Sequence, residues 1–223
     1  MKRLLLMLLI TASVGCIHSE TKQTSTPVDM NQTISLPQPT ASGSTLLDAL
    51  KNRASIREYD SKKLDLEQLG GVLWAASGIN RSESERRTAP SALALYPVKT
   101  YVFFKDGTYL YDPSAHSLQR VLSGDDRKLT GMQDFVYSAP LNLLYVADLS
   151  VYEPKGIPAD KGRFLAGLDA AGCAQNVNLY CAAEGMASIT RASYPEQEAL
   201  AALSLDPTRY AVVLAQTIGF EKQ

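Results

Sequence analysis

Apolar positions along the chain recur in two rhythms, a helical one near the start and end and a strand-like one in the middle. Leu46, Leu47 and Leu50 follow helical spacing behind Thr45 and Asp48, a capping pair, and predict a helix over 45–53. Residues 54–63 break the pattern and read as irregular. Asp65 and Gln68 then open a second helix whose apolar positions are Leu66, Leu69, Val72, Leu73 and Ala76, with Gly78 closing it and Trp74 at the edge of the face. The charged run Arg81–Arg87 reads as a mobile loop.

Val98–Phe104 is a strand, Asp106-Gly107 a hairpin turn and 108–112 its partner strand. Ser114–Leu122 reads as a short helix, and Leu141–Ala147, apolar throughout, as a buried strand. A long loop with Pro154, Gly156 and Pro158 covers 148–162. Phe164–Met186, free of proline and rich in Ala, Leu, Asn and Gln, predicts a long helix buried on more than one side. A strand over 187–190, a helix over 195–203 and a strand over 210–218 follow. This order, without a repeat, is α+β and one domain.

The first residues do not belong to that domain. Lys2 and Arg3 precede an apolar run, Leu4–Ile10, that fades into small residues before Cys16, the layout of an export signal over 1–15. The run is far short of the roughly 20 residues that cross a bilayer. Cys16 resembles the lipidated cysteine of a bacterial lipobox, although Ser13 stands where a larger aliphatic is usual; ordinary signal cleavage and a cytosolic protein with an unusual N-terminus are the alternatives. Residues 16–43, rich in Thr, Ser, Gln and Pro, then form a flexible tether carrying His18, and the domain proper is 44–223. The expected location is the bacterial cell envelope, membrane-anchored through an N-terminal lipid.

Composition narrows the chemistry. Among 223 residues, 45% are apolar and the net charge is −1, which supports a buried core and gives no case for nucleic-acid binding. Three cysteines and two histidines are too few for a disulfide scaffold or a zinc site. Cys173 and Cys181, eight residues apart on one helix and so about 12 Å apart along its axis, read as small core residues. His116 reads as solvated or capping. No G-x-S-x-G elbow, G-x-G-x-x-G or Walker loop occurs, so hydrolase, Rossmann and P-loop readings fall away.

One cluster has an ionic task. Arg53, Ser55 and Arg57 lie at alternate positions where a helix ends, so an extended chain turns all three to one side and Ala54 and Ile56 to the other. Two guanidiniums and a hydroxyl suit a phosphate, because the forked donors of Arg match its oxygens. A surface Arg pair bridging to Glu58 or Asp60 would have the same sequence.

Arg53, Ser55 and Arg57, with Tyr59 and Asp60, resemble the N-terminal signature of FMN-dependent nitroreductase-type flavoproteins. Arg87-Thr-Ala-Pro90-Ser91-Ala92-Leu-Ala94-Leu-Tyr96-Pro97 is similar to the R-x-x-P-S-A-G-A-L-Y-P segment of their SagB-type branch, relatives of thiazoline and oxazoline dehydrogenases. Leu168-Asp169 through Gln175-Asn176 resembles the L-D-x-G-x-A-x-Q-N helix, and Ile218-Gly219-Phe220 the closing V-G-[FY]. The resemblance spans 45–220.

It implies a central, mostly antiparallel sheet flanked by helices, an intertwined homodimer and FMN as cofactor, with no catalytic side chain because the chemistry runs on flavin N5. Arg53, Ser55 and Arg57 would hold the phosphate and ribityl chain. Pro90, Ser91 and Ala92, approached from the partner subunit, would border the flavin, with Tyr96 and Pro97 on the same wall. Residues 190–193, including Arg191, Ala192 and Ser193, would present backbone N–H groups to N5 and the pyrimidine edge. Gln175 and Asn176 would serve either the flavin or the dimer interface. The implied function is ping-pong oxidoreduction of a small organic substrate, with NAD(P)H, a quinone or a partner flavoprotein as donor. The competing class is a membrane-tethered flavin- or ligand-binding protein without turnover. Two departures from the pattern stand out: a chain ending three residues after Phe220, and Thr190-Arg191-Ala192-Ser193 in place of a small-Gly run.

Overall fold

The computed structural model describes residues 32–40 and 43–223. The signal segment 1–15, Cys16 and the tether as far as 31 lie outside the described residues. Among the described residues no helix is long and apolar enough to cross a membrane.

The core is one seven-stranded sheet with every neighbouring pair antiparallel. In chain order the strands are β1 (Thr33–Ser35), β2 (Ile79–Arg81), β3 (Arg86–Arg87), β4 (Val98–Phe104), β5 (Gly107–Asp112), β6 (Ser117–Ser123), β7 (Leu141–Asp148), β8 (Ala187–Arg191) and β9 (Tyr210–Gly219). The large sheet runs β1-β6-β5-β4-β7-β9-β8, and β2 and β3 form a separate ribbon. The helices are α1 (Leu46–Asn52), α2 (Leu66–Ser77), α3 (Phe135–Ser138), α4 (Ala159–Ala183) and α5 (Glu196–Ala202). The chain is α+β, as its sequence pattern predicts.

Central strand β7 is buried along its whole length because both faces are covered. Leu141, Leu143, Tyr145 and Ala147 pack into the cluster under α2 and α4, while Leu144 and Val146 meet Leu200 of α5 and Val212 on the other side. The inward stripe of α4 is made of small residues, Gly162, Ala166, Ala170, Cys173, Ala174 and Cys181. Small side chains let neighbours approach: a Cβ on Gly71 of α2 would lie 2.0 Å from the Tyr180 hydroxyl of α4. Gly71→Ala therefore requires the Tyr180 ring to move.

Both helix starts are closed by reciprocal caps. Thr45 Oγ1 accepts from Asp48 N–H while Asp48 takes the Thr45 N–H, and Asp65 and Gln68 repeat the arrangement.

Several sequence expectations change. Residues 33–35 are not tether: they pair with Ser117–Gln119 of β6, and Leu36 is buried beside them. Ser114–Leu122 is not a helix. The Asp112 carboxylate accepts the Ser114 and Ala115 N–H groups, His116 takes φ 44°, and the chain reverses into β6. His116 is buried, not solvated: Nε2 donates to Pro37 O at 2.9 Å and Nδ1 accepts from the Tyr111 hydroxyl at 2.8 Å. That histidine ties β1 to the sheet. The Arg81–Arg87 stretch folds as the β2–β3 ribbon, and the 148–162 loop contains a 3-10 helix over Leu149–Lys155. The long helix starts at Ala159, five residues before the expected position, and ends at Ala183.

Candidate functional site

α1 stops because Arg53 leaves helical geometry, its N–H closing on Ala49 O while its ψ opens to 116°. The chain beyond lies alongside edge strand β8, with Ser55 bridging Ser188 in parallel and Ile56 N–H donating to Ser188 O at 3.2 Å. Buried Tyr59 pins the segment from below, its hydroxyl donating to Ile56 O at 2.7 Å and its ring 6.1 Å from Phe135. Asp60 N–H reaches Phe220 O and Lys222 N–H reaches Glu58 O, so the C-terminus locks the other side.

On this backbone the alternation is met at Ile56 but not at Ala54, which is exposed like its neighbours because the segment runs over the sheet edge. Ile56 turns inward toward Ala187 and Ile189, whereas Arg53, Ser55 and Arg57 are exposed. A cavity of about 340 Å³ opens nearby, lined by the intervening residues Ala54 and Ile56 with Asn52, Asn178 and Ser188, and not by Arg53, Ser55 or Arg57. Among the described residues neither guanidinium is engaged in an ion pair or a side-chain hydrogen bond; Asp60 is occupied by Lys62 N–H at 2.7 Å. The carboxylate-bridged alternative is not formed. Two free forked cations and a hydroxyl on a rigid edge fit a phosphate-bearing group.

The second part of the site is the loop 90–97. Buried Asp169 of α4 holds it, accepting Ser91 Oγ–H at 2.6 Å and Ala92 N–H at 3.0 Å, and Ser91 Oγ in turn accepts Tyr96 N–H at 2.9 Å. The Ser91 hydroxyl and Ala92 N–H are thus committed inside the chain, and these two residues shape the wall without offering those groups to a ligand. Pro90 packs over Gly172, and the Arg87 guanidinium stacks 4.8 Å from the half-buried Tyr96 ring. Desolvation there holds the Arg87 guanidinium below its usual range.

This loop is strained: Leu93, Ala94 and Tyr96 have φ of 56°, 54° and 47°. Left-handed backbone costs a residue with a Cβ about 1–2 kcal/mol. Ala94→Gly should recover most of that, offset by about 0.4–1 kcal/mol of added unfolded-state entropy. The expected net is a rise in Tm of about 1–3 °C, read by thermal circular dichroism; a fall would show that Ala94 carries no strain.

The third part is β8. Ala192 and Ser193 are exposed just past its end, but the Arg191 side chain is turned into the fold. Its guanidinium donates to Thr217 Oγ1 at 3.0 Å, Thr130 O at 2.6 Å and Asn142 Oδ1 at 3.4 Å, with no carboxylate among these partners. Desolvation lowers it to about 10. Gly131 leaves the room, since a Cβ there would sit 2.0 Å from the guanidinium. As a side chain Arg191 is structural, and only its backbone remains on the edge. Gln175 is exposed on α4, accepting from Asn178 Nδ2 at 3.3 Å. Burial pushes the Cys173 and Cys181 thiols up to about 12, so neither is a nucleophile near neutrality.

Asp169 and Asn178, nine residues apart on α4, separate the loop from the trio by about 13 Å along the axis. The cavity beside the trio has no loop residue in its lining. A larger cavity of about 480 Å³, between α2, the β4–β5 hairpin and Pro140, touches neither part. Its size does not make it the site: its guanidinium, Arg127, is bound to Asp125 and Lys63 meets Asp106, which leaves Lys105 and no forked donor pair.

Sequence reasoning gave no role to the side chains of Asp169, Asn178 or Thr190; Asp169 entered only as a motif residue and Thr190 only for its backbone. Asp169 carried a signal, an acid inside the Ala-rich face of a helix destined for burial.

Residues 50–220 match the model of the Nitroreductase family. A Methanocaldococcus jannaschii protein, provisionally named nitroreductase MJ1384, is 32% identical over 180 residues, covering 76% of this chain and 89% of that one. A crystal structure from Ralstonia eutropha, also provisionally named a nitroreductase, superposes with a TM-score of 0.81 at 36% identity, covering 88% of this chain and 92% of that chain. A Desulfovibrio desulfuricans structure described as a nitroreductase in complex with FMN shares the fold at TM-score 0.56 and 22% identity, covering 81% and 88%. By sequence and by fold, this chain belongs to the nitroreductase family.

Proposed function

We propose that the protein is an FMN-dependent oxidoreductase acting on a small organic substrate as a homodimer. The observation that carries the reading is the pair of guanidiniums, Arg53 and Arg57, held with the Ser55 hydroxyl on a rigid sheet edge without carboxylate partners. FMN, when bound, supplies the two-electron chemistry that these side chains lack. Arg53 and Arg57 would hold its phosphate, Ser55 would add a donor, and the end of β8 would offer backbone groups to the ring. The FMN-bound family relative supports the same cofactor.

The division of the site between two places on the chain supports a homodimer. Within one chain the 90–97 loop and the trio lie on separate parts of the surface, and a second copy bringing its loop to the trio would join them. Exposed apolar residues mark a surface for it: Phe164 and Leu168 one turn apart on α4, and Leu46, Leu47 and Leu50 on α1. The Pro90–Pro97 sequence favours the SagB-type branch, in which substrate is the hydrogen donor. Lipidation at Cys16 would place the enzyme at the bacterial envelope and favour a quinone or partner flavoprotein over NAD(P)H.

A visible spectrum of the purified full-length chain tests the reading. A flavin band that bleaches with a reductant and recovers with an electron acceptor is expected. A colourless protein that cannot be loaded with FMN overturns it, and a bound flavin that never turns over leaves the tethered binding protein.

A further inference from the structure

The direction of one hydroxyl proton can be read from the buried amides behind the trio. Gln216 of β9 is fully buried, and its nitrogen donates to Ala174 O at 3.1 Å while Oε1 accepts the Tyr145 hydroxyl at 2.8 Å. A backbone carbonyl only accepts, so the amide cannot be the other way round. The second Gln216 proton goes to Asn178 Oδ1 at 2.8 Å, which also accepts from the Ser188 hydroxyl at 3.0 Å. The oxygen end of Asn178 is thereby fixed inward. Its nitrogen end faces out, donating to Thr190 Oγ1 at 3.2 Å and to Gln175.

Thr190 is therefore an acceptor toward Asn178, and its single hydroxyl proton points elsewhere. Among the described residues no acceptor takes that proton. Thr190 is half-exposed and lies two residues beyond Ser188, the residue that bridges Ser55. The same two-residue step from Ser55 reaches Arg57. A donor that Asn178 keeps from turning inward, and that no described residue uses, thus stands on the edge that carries the phosphate trio.

We propose, resting on the FMN reading, that Thr190 donates this proton to an acceptor atom on the flavin's pyrimidine edge, and that Gln216 and Asn178 are the positioning residues that set its direction. The acceptors of that edge gain negative charge when the flavin is reduced, so a fixed donor favours the reduced form. Little reorganisation is needed, because the amide chain already bars the proton from the protein side.

The test measures dissociation constants of oxidised and reduced FMN, and the midpoint potential, for the full-length chain and four variants. Thr190→Val keeps the shape and removes the donor. It is expected to weaken reduced FMN about tenfold more than oxidised FMN, lowering the two-electron midpoint by about 30 mV. Thr190→Ser should return both values toward wild type. Asn178→Asp places a carboxylate, which only accepts, against Thr190 and turns the proton inward. It should lower the midpoint although Thr190 is intact, and add little when combined with Thr190→Val. A through-space effect of the new charge would instead be equal in both backgrounds and would overturn the proposal. So would a Thr190→Val protein that binds FMN with the wild-type ratio, or one whose midpoint rises. Wild-type protein that takes up no FMN overturns the flavin reading itself, and this proposal with it.

Discussion

Replacing Arg53 and Arg57 together by alanine should raise the FMN dissociation constant about a hundred- to ten-thousand-fold while leaving the fold intact. Each guanidinium offers charge-assisted hydrogen bonds to a phosphate, worth about 1.5–3 kcal/mol apiece, and a tenfold change in affinity is about 1.4 kcal/mol. Both side chains are exposed and, among the described residues, unpaired, so folding has little to lose. The helical circular dichroism signal and the Tm should stay within about 0.5 kcal/mol of wild type, the range of surface substitutions away from special features. Arg57→Lys keeps the charge and loses the fork, and should fall between the two. A double variant that purifies with a full complement of flavin would place the phosphate elsewhere and remove the main support for the cofactor.

The trio was legible in the sequence because its logic is local. A helix that ends at a polar residue, followed by an extended run with alternate cations, needs no distant partner to turn its side chains outward. The helix caps at Thr45 and Asp65 were legible for the same reason, each closing on a residue three positions away. The failures share the opposite property. Leu118, Val121 and Leu122 have helical spacing, yet Ser117–Ser123 is a strand because β5 offers it an unpaired edge and β1 covers the other side. Local propensity lost to tertiary pairing. β1 itself is three residues in a polar stretch, stabilised by a histidine bond from Nε2 to Pro37 O across 79 positions. Nothing in Thr33–Ser35 announces that partner.

The candidate site divides along the same line. Ser91 was recognisable as part of a family-like segment, but its hydroxyl is consumed by Asp169, 78 positions later, and a motif cannot say whether a serine faces ligand or protein. Arg191 was read for its backbone, and its guanidinium finds Thr130, Asn142 and Thr217 on three other segments. The polarity of Thr190 depends on a chain of amides running from β7 through β9 and α4. Position along the sequence fixes which side chains are available. Only the folded arrangement decides which of their protons are already spent.

Asp169→Ala should unlatch the 90–97 loop and be the most destabilising of the substitutions considered. It leaves Ser91 Oγ–H and Ala92 N–H without their acceptor, at a cost of about 1–3 kcal/mol for each partly buried donor. For a chain of this size the Tm should fall by about 5–12 °C. The latch also explains how three left-handed non-glycine residues persist within four positions: strained backbone survives only where its surroundings over-determine it. Without Asp169, Leu93, Ala94 and Tyr96 can relax, so amide exchange and proteolytic cleavage at Leu93 and Tyr96 should rise while α4 and β7 stay protected. Asp169→Asn keeps an acceptor for Ala92 N–H and should lose less than half as much stability. The strain and the latch are coupled, which gives a sharper check. If Asp169 holds the loop in its left-handed form, Ala94→Gly stabilises the wild type but gains nothing in the Asp169→Ala background, where the strain is already released. Equal gains in both backgrounds would mean that the strain at Ala94 is held by something other than Asp169, and that the carboxylate merely fills a polar gap beneath the loop.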